Sequence, residues 1–201
     1  MASTSSPYGV QVISDQVGVA PRPARLVNGI ASGYASNIFK GQPVKMNPVT
    51  GTIVPCTNPG GTPDQLWAIF DGVYYTPVGG RPIDAPFWPG GTQWDSGYDM
   101  FVYYYPLWLP STRLQVQADG SVAQALAGSG FNFSNLGNGN TTTGQSACTV
   151  AAAGVPAGSQ AQLAFIEFAN GINDAIGDAY TDMIFTVAYP QVGFRGQNSI
   201  G

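Results

Sequence analysis

The chain has 201 residues, a formal net charge of −4 and no histidine, with Gly (27) and Pro (16) at about a fifth of the total against an average near 12%. Charged residues make up only 9% while hydrophobic residues make up 44%, a balance that excludes a disordered composition. Clustered Lys or Arg for nucleic-acid binding is missing, Lys40 and Lys45 being the only lysines, and no apolar run reaches the ~20 residues of a membrane span.

In chain order, residues 1–27 stand apart. "PYGVQVISDQVGVAPRPARLVN" mixes Pro, Gly and small apolar residues. Val10 and Val12 alternate about Gln11 as in a strand, while Pro21 and Pro23 favour an extended path. A disordered tail would be more charged and poorer in Val, Ile and Tyr. The segment is therefore expected to be an extended N-terminal arm that adds a strand to a partner through Pro7, Tyr8, Val10, Val12 and Ile13, with Arg22 and Arg25 near acidic or carbonyl groups. The opening "MASTSSPYGVQVISD" lacks the basic and continuous apolar parts of a secretion signal. Synthesis in a cytoplasm is expected, with Cys56 and Cys148 as reduced, structural thiols.

"IFKGQPVKMNPVTGTIVPC", 38–56, reads as a hairpin turning at Asn47, Pro48 and Gly51. Pro43 inside its first strand predicts an edge or a bulge. "LWAIFDGVYYT", 66–76, is apolar on both faces and predicts a doubly buried strand. Residues 77–97 form a long irregular connection with Phe87, Trp88 and Trp94 as anchors. "YDMFVYYYPLWL", 98–109, is a strand ended by proline. Its Tyr103-Tyr104-Tyr105 run with Trp108 is expected to be core on one face and subunit interface on the other, Tyr103, Tyr105 and Trp108 being the interface candidates, with a sugar platform as the alternative. "RLQVQADGSVAQAL" reads as a second hairpin, with Asp119-Gly120 as its tight turn and positive φ expected at Gly120. Residues 128–147, rich in Gly, Asn, Thr and Ser, predict a surface loop. Strands are predicted over 161–169 and 182–189, and a tail over 191–201. Short strands at turn-rich spacing imply an all-β domain over 28–190, a small β-barrel or sandwich with long irregular loops.

Candidate chemistry is sparse. Without histidine there is no Ser-His-Asp or Cys-His nucleophile, and no CxxC or phosphate-cradling GxxxxGK[ST] motif occurs. Asp95 and Asp99 in "WDSGYD" form a carboxylate pair of the kind a glycosidase needs, or two solvated turn residues. Asp174, Asp178 and Asp182 recur every four residues, which does not match the alternating ligands of a calcium loop. Neither an enzyme nor a cofactor or metal site is expected. Asn132 and Asn140 fit the glycosylation sequon, which means little without secretion.

Eight segments in consistent order resemble a family of tailed-phage head decoration, or cement, proteins. They are "SPYGVQVI" at 6–13, "IASGYASNIFKGQPVKM" at 30–46, "TGTIVPC" at 50–56, "LWAIFDGVYYT" at 66–76, "WPGGT" at 88–92, "LQVQADGS" at 114–121, "TTTGQSA" at 141–147 and "GDAYTDMIFTVA" at 177–188. The opening hairpin is also similar to the β-tulip fold of small head-stabilising proteins. The chain departs from that family at Gln42, where an acid is frequent, and in its enlarged aromatic 98–109 segment. The resemblance implies a virion structural protein, not an enzyme. It implies a homotrimer on the outer capsid surface that clamps neighbouring major capsid protein subunits, with no nucleic-acid or membrane partner. A receptor- or carbohydrate-binding β module of a phage fibre is the alternative.

Overall fold

The computed structural model describes residues 5–14, 20–57, 66–107, 112–156, 160–169 and 176–188. These residues form antiparallel sheets with no α-helix among them. The first sheet has five strands in the order β1 (Gln11–Ser14), β8 (Arg113–Gln117), β13 (Asp182–Val187), β12 (Leu163–Phe168) and β9 (Gly130–Phe131). The second runs β2 (Ala24–Val27), β7 (Phe101–Pro106), β5 (Ala68–Tyr75), β3 (Pro43–Met46) and β4 (Ile53–Pro55), with β6 (Ile83–Ala85) paired to the far end of β5. A small third sheet joins β10 (Phe133–Ser134) to β11 (Thr149–Val150). The sheets are open rather than closed into a barrel, so the architecture is of the sandwich type.

Two cores follow from the alternation of side chains along the strands. Leu114, Val116, Met183, Phe185, Leu163 and Phe131 of the first sheet bury against Ile69, Leu66 and Leu107 from the end of the second. The opposite face of the second sheet presents Val44, Phe70, Val73, Val102 and Tyr104 to a second core. Its lid is not a sheet but irregular chain carrying Ile30, Ile38, Trp88 and Trp94. Backbone carbonyls satisfy the indole donors, as burial requires: Trp88 Nε1 donates to Tyr34 O at 3.2 Å and Trp94 Nε1 to Ile30 O at 3.0 Å. The aromatic anchors expected in 77–97 thus hold that connection against the sheet.

The β3–β4 hairpin forms as expected. Asn47 Oδ1 accepts from Val49 N at 3.0 Å, and Gly51 takes φ +70°. The expected edge position of Pro43 is corrected, because β3 lies between β4 and β5. Pro43 is tolerated as the first residue of its strand, and its carbonyl accepts from Cys56 N at 3.0 Å. Gln42 beside it is fully buried, with Oε1 accepting from Phe39 N at 2.9 Å. A carboxylate there would carry the cost of a buried charge, which suits the neutral amide.

Three further expectations are corrected. Asp119-Gly120 is not a hairpin turn. Both edges of β8 are already taken by β1 and β13, so no lane remains for a returning strand. The chain passes instead into a 3-10 turn at Gln124–Leu126, and Gly120 does not take positive φ. Asp119 ties this corner to the third sheet, its Oδ1 accepting from Ala152 N and its Oδ2 from Ser134 Oγ, each at 2.9 Å. The polar 128–147 stretch is not wholly a surface loop, since Phe131 and Phe133 within it are fully buried.

The 1–27 segment is not a separate arm where it is described. Its two strands pair with β8 and β7 of the same chain, because those strands offer edges within reach. The 191–201 tail lies outside the described residues.

Cys56 and Cys148 are thiols rather than halves of a disulfide, both fully buried and members of one core cluster. Burial pushes the Cys148 thiol well above its ordinary range, and the neighbouring Cys56 adds to the shift. A thiol held neutral this way leaves stability intact below the unfolded value near 9.0 and erodes it as pH rises above that. Thiol reagents are expected to leave both residues unmodified in the native protein and to label both after unfolding. A Cys56–Cys148 cross-linked peptide in the non-reduced digest would contradict this.

The Asp119 corner yields a paired test. Asp119→Ala should cost about 1 kcal/mol, the order of a lost hydrogen bond. Gly120→Ala should change stability by less than about 0.5 kcal/mol, since the added Cβ meets only Ala152 Cβ at 3.5 Å. Denaturant unfolding of both variants checks the contrast.

Candidate functional site

Residues 6–13 are pinned by a crossing of two glycines. Val10 N donates to Gly41 O at 2.8 Å, and Gly41 N to Phe70 O at 2.8 Å. Both Gly9 (φ +77°) and Gly41 (φ +79°) have left-handed backbone. A Cβ on Gly41 would stand 3.0 Å from Val10 N and O. Val10 is buried in the first core at 4% exposure, so it is not a partner-contacting residue as expected. Pro7 and Tyr8 are half-buried against the domain, and Ser6 N donates to Gln117 Oε1 at 3.1 Å. Of the expected arm residues in this stretch, only Ile13 is exposed, at 37%, while Val12, like Pro7 and Tyr8, is half-buried.

Val12 opens onto a cleft of about 190 Å³ where the first strands of the two sheets converge, lined also by Pro21, Arg22, Tyr105, Pro106 and Thr112. Val12, Arg22 and Tyr105, read separately from sequence as arm and interface residues, thus share one site. Burial pushes the Tyr105 phenol above its ordinary value, nearby Asp71 adds to this and Lys40 opposes it. Those two form an ion pair at 2.7 Å. The phenol therefore stays protonated at neutral pH and can donate a hydrogen bond. Tyr105 also packs against the first core, so it is a wall of the cleft rather than a free interface residue.

A second surface lies on the face of the second sheet that turns away from the second core. Arg25 stands opposite Tyr103, Val27 opposite Phe101, Phe101 opposite Tyr74, and Tyr74 opposite Asp84. Cross-strand partners share a face, so these residues form one array. The Arg25 guanidinium lies 4.4 Å from the Phe101 centroid, and the Tyr74 and Phe101 rings are 6.1 Å apart. Val27 is 49% exposed and both charged residues are exposed. The structure thus brings Arg25 and Tyr103 together. Trp108 lies outside the described residues.

Sequence reasoning missed Tyr74, Phe101 and Asp84. The alternation of Phe101 with Tyr103 pointed to a shared face, but the doubly apolar reading of 66–76 hid the opening of one face after the bulge at Asp71.

Of the aspartates considered for catalysis or metal binding, Asp95 and Asp182 accept hydrogen bonds through their carboxylates and Asp178 through its backbone carbonyl. Asp95 Oδ1 accepts from Gly97 N at 2.9 Å within a turn, and Asp99 is exposed. Asp178 O accepts from Thr181 Oγ1 at 2.8 Å, and Asp182 Oδ2 from Gln115 Nε2 at 3.2 Å. Asp174 lies outside the described residues, among which no group of three His, Cys, Asp or Glu side chains could hold a metal. No family model, curated protein or solved structure matches the chain.

Gly41→Ala should destabilise the protein by about 1 kcal/mol or more, through left-handed strain and the close approach to Val10. Gly51→Ala should cost about 1 kcal/mol from strain alone, because nothing lies within 4 Å of its added Cβ. Equal melting temperatures for Gly41→Ala and the wild type would contradict the crossing.

Proposed function

We propose that the protein is a virion structural component, a decoration or cement protein that sits as a homotrimer on the outer surface of a tailed-phage head and bridges neighbouring major capsid protein subunits. The observation that carries this reading is the ordered set of eight family-like segments running from residue 6 to residue 188. The convergence of Val12, Arg22 and Tyr105 on one cleft is consistent with it, since parts read separately as capsid- and subunit-facing meet at one place.

The chemistry of the cleft suits an extended peptide. Val12 and the prolines supply apolar walls, Arg22 a cation that takes a carboxylate or carbonyl, and Tyr105 a neutral donor. A single small contact of this kind is weak. Three copies held in one trimer engage together, and avidity exceeds single-site affinity by ~10²–10⁴.

The test uses the full chain, because removing residues 1–20 would strip β1 and Val10 from the fold. Undecorated heads are titrated with wild-type protein and with Arg22→Glu, and bound protein is measured by sedimentation. Wild type should saturate the heads and raise their heat resistance, and Arg22→Glu should need about tenfold more protein or higher. Failure of the wild type to co-sediment would overturn the reading. A glycan-array signal together with that failure would favour the carbohydrate-binding module.

A further inference from the structure

Two of the short edge strands of the second sheet, β2 and β6, have hydrogen-bonding patterns that match each other. Asn28 N donates to Met100 O at 2.8 Å. Pairing in an antiparallel ladder alternates. With Leu26 opposite Val102 and Val27 opposite Phe101, the N–H and C=O groups of Arg25 and Val27 therefore point away from β7, toward the free edge of β2. The same alternation carried across β7 and β5 turns Val73 and Tyr75 toward β6 and the backbone of Asp84 outward. Prolines bound both edges: Pro21 and Pro23 precede β2, and Pro82 and Pro86 flank β6. Such residues limit open-ended pairing.

We propose that β2 of one copy pairs antiparallel with β6 of a second copy of this chain, with Arg25 directly opposite Asp84. The register follows from complementarity. Arg25 and Asp84 exchange both backbone hydrogen bonds, and Val27 N donates to Pro82 O. Pro23 falls opposite Pro86, so neither strand leaves an orphan donor there. Arg25 and Asp84 lie on the same open face, both exposed and, among the described residues, without an ion-pair partner. Joined, they form a cross-strand charge pair between Tyr103 of one copy and Tyr74 of the other. On the opposite face Ile83, 40% exposed, covers Leu26. Shifting Asp84 to face Val27 would leave both charges unpaired.

The contact joins two different edges of the same sheet, so it is heterologous and each copy offers one of each. Repetition closes a ring when the rotation permits. The inference deepens the oligomeric part of the proposed function and rests on it only in expecting three members; the edge pairing itself is tested on free protein, without capsids.

The experiment measures mass by light scattering against concentration for wild type, Arg25→Asp, Asp84→Arg and the double reversal, with circular dichroism as the check on folding. Wild type should be oligomeric. Each single reversal should raise the dissociation constant about fivefold to tenfold, and the double reversal should restore it. A mixture of Ala24→Cys and Ala85→Cys chains, which place a thiol opposite a thiol, should give a cross-linked dimer linking the two under oxidation; neither alone should. A wild type that stays monomeric, or a double reversal no better than the singles together with no 24–85 cross-link, would overturn the proposal. Were any reversal to unfold, the cysteine pair decides alone. Failure of capsid binding with the cross-link present would remove the cement reading and leave the edge pairing standing.

Discussion

Everything in this fold hangs on one strand having no free side. β5 is flanked by β7 along one edge and by β3 and β6 along the other, and it faces a core on each side near its start. Ile69 enters the first core while Phe70 and Val73 enter the second. Burial of such side chains contributes about 1.5–3 kcal/mol each, and here one strand feeds both cores. The bulge at Asp71 resolves the conflict this creates. It lets the strand change its relation to β7 between Phe70 and Gly72, and beyond it the face that was buried against the first core opens to solvent. The Lys40–Asp71 pair sits at that point, half-exposed, where its net worth is small.

The open surfaces follow from this arrangement. One sheet cannot be covered along its whole length by a smaller neighbour, so Tyr74, Phe101 and Tyr103 remain on a face with Arg25 across them. The cation–π contact over Phe101 covers part of that apolar surface while keeping the charge in water. Where the first strands of the two sheets approach each other, the chain leaves the cleft between β1 and the end of β7. Pro106 in its wall has no N–H to offer, while Leu107 N just beyond it still donates to Trp67 O at 3.1 Å.

Much of the strand pattern was legible because local rules and tertiary context agree there. The Asn47–Gly51 turn and the strands β5 and β13 were foreseen from residue type, although β5 is doubly buried only before its bulge at Asp71. The Asp119-Gly120 signal failed because turn propensity says nothing of whether a lane beside the strand is free, and both lanes beside β8 are filled from distant parts of the chain. The 1–27 segment misled for a related reason. The strand about Val12 was foreseen while β2 after the prolines was not, and sequence does not say whose edge a strand will join. Of the candidate site, Arg22, Arg25, Val12, Tyr103 and Tyr105 were visible as residue types, while their convergence on two surfaces depends on register across the sheets.

On the proposed function, the protein holds others together through an all-β body, a cleft for an extended segment and edges for its own copies. The most direct measurement is an electron cryomicroscopy reconstruction of phage heads incubated with the purified protein. The account predicts added density at three-fold positions of the shell, three copies at each, with β2 of one copy beside β6 of the next. Heads without added density, or isolated copies that touch no neighbour, would contradict it.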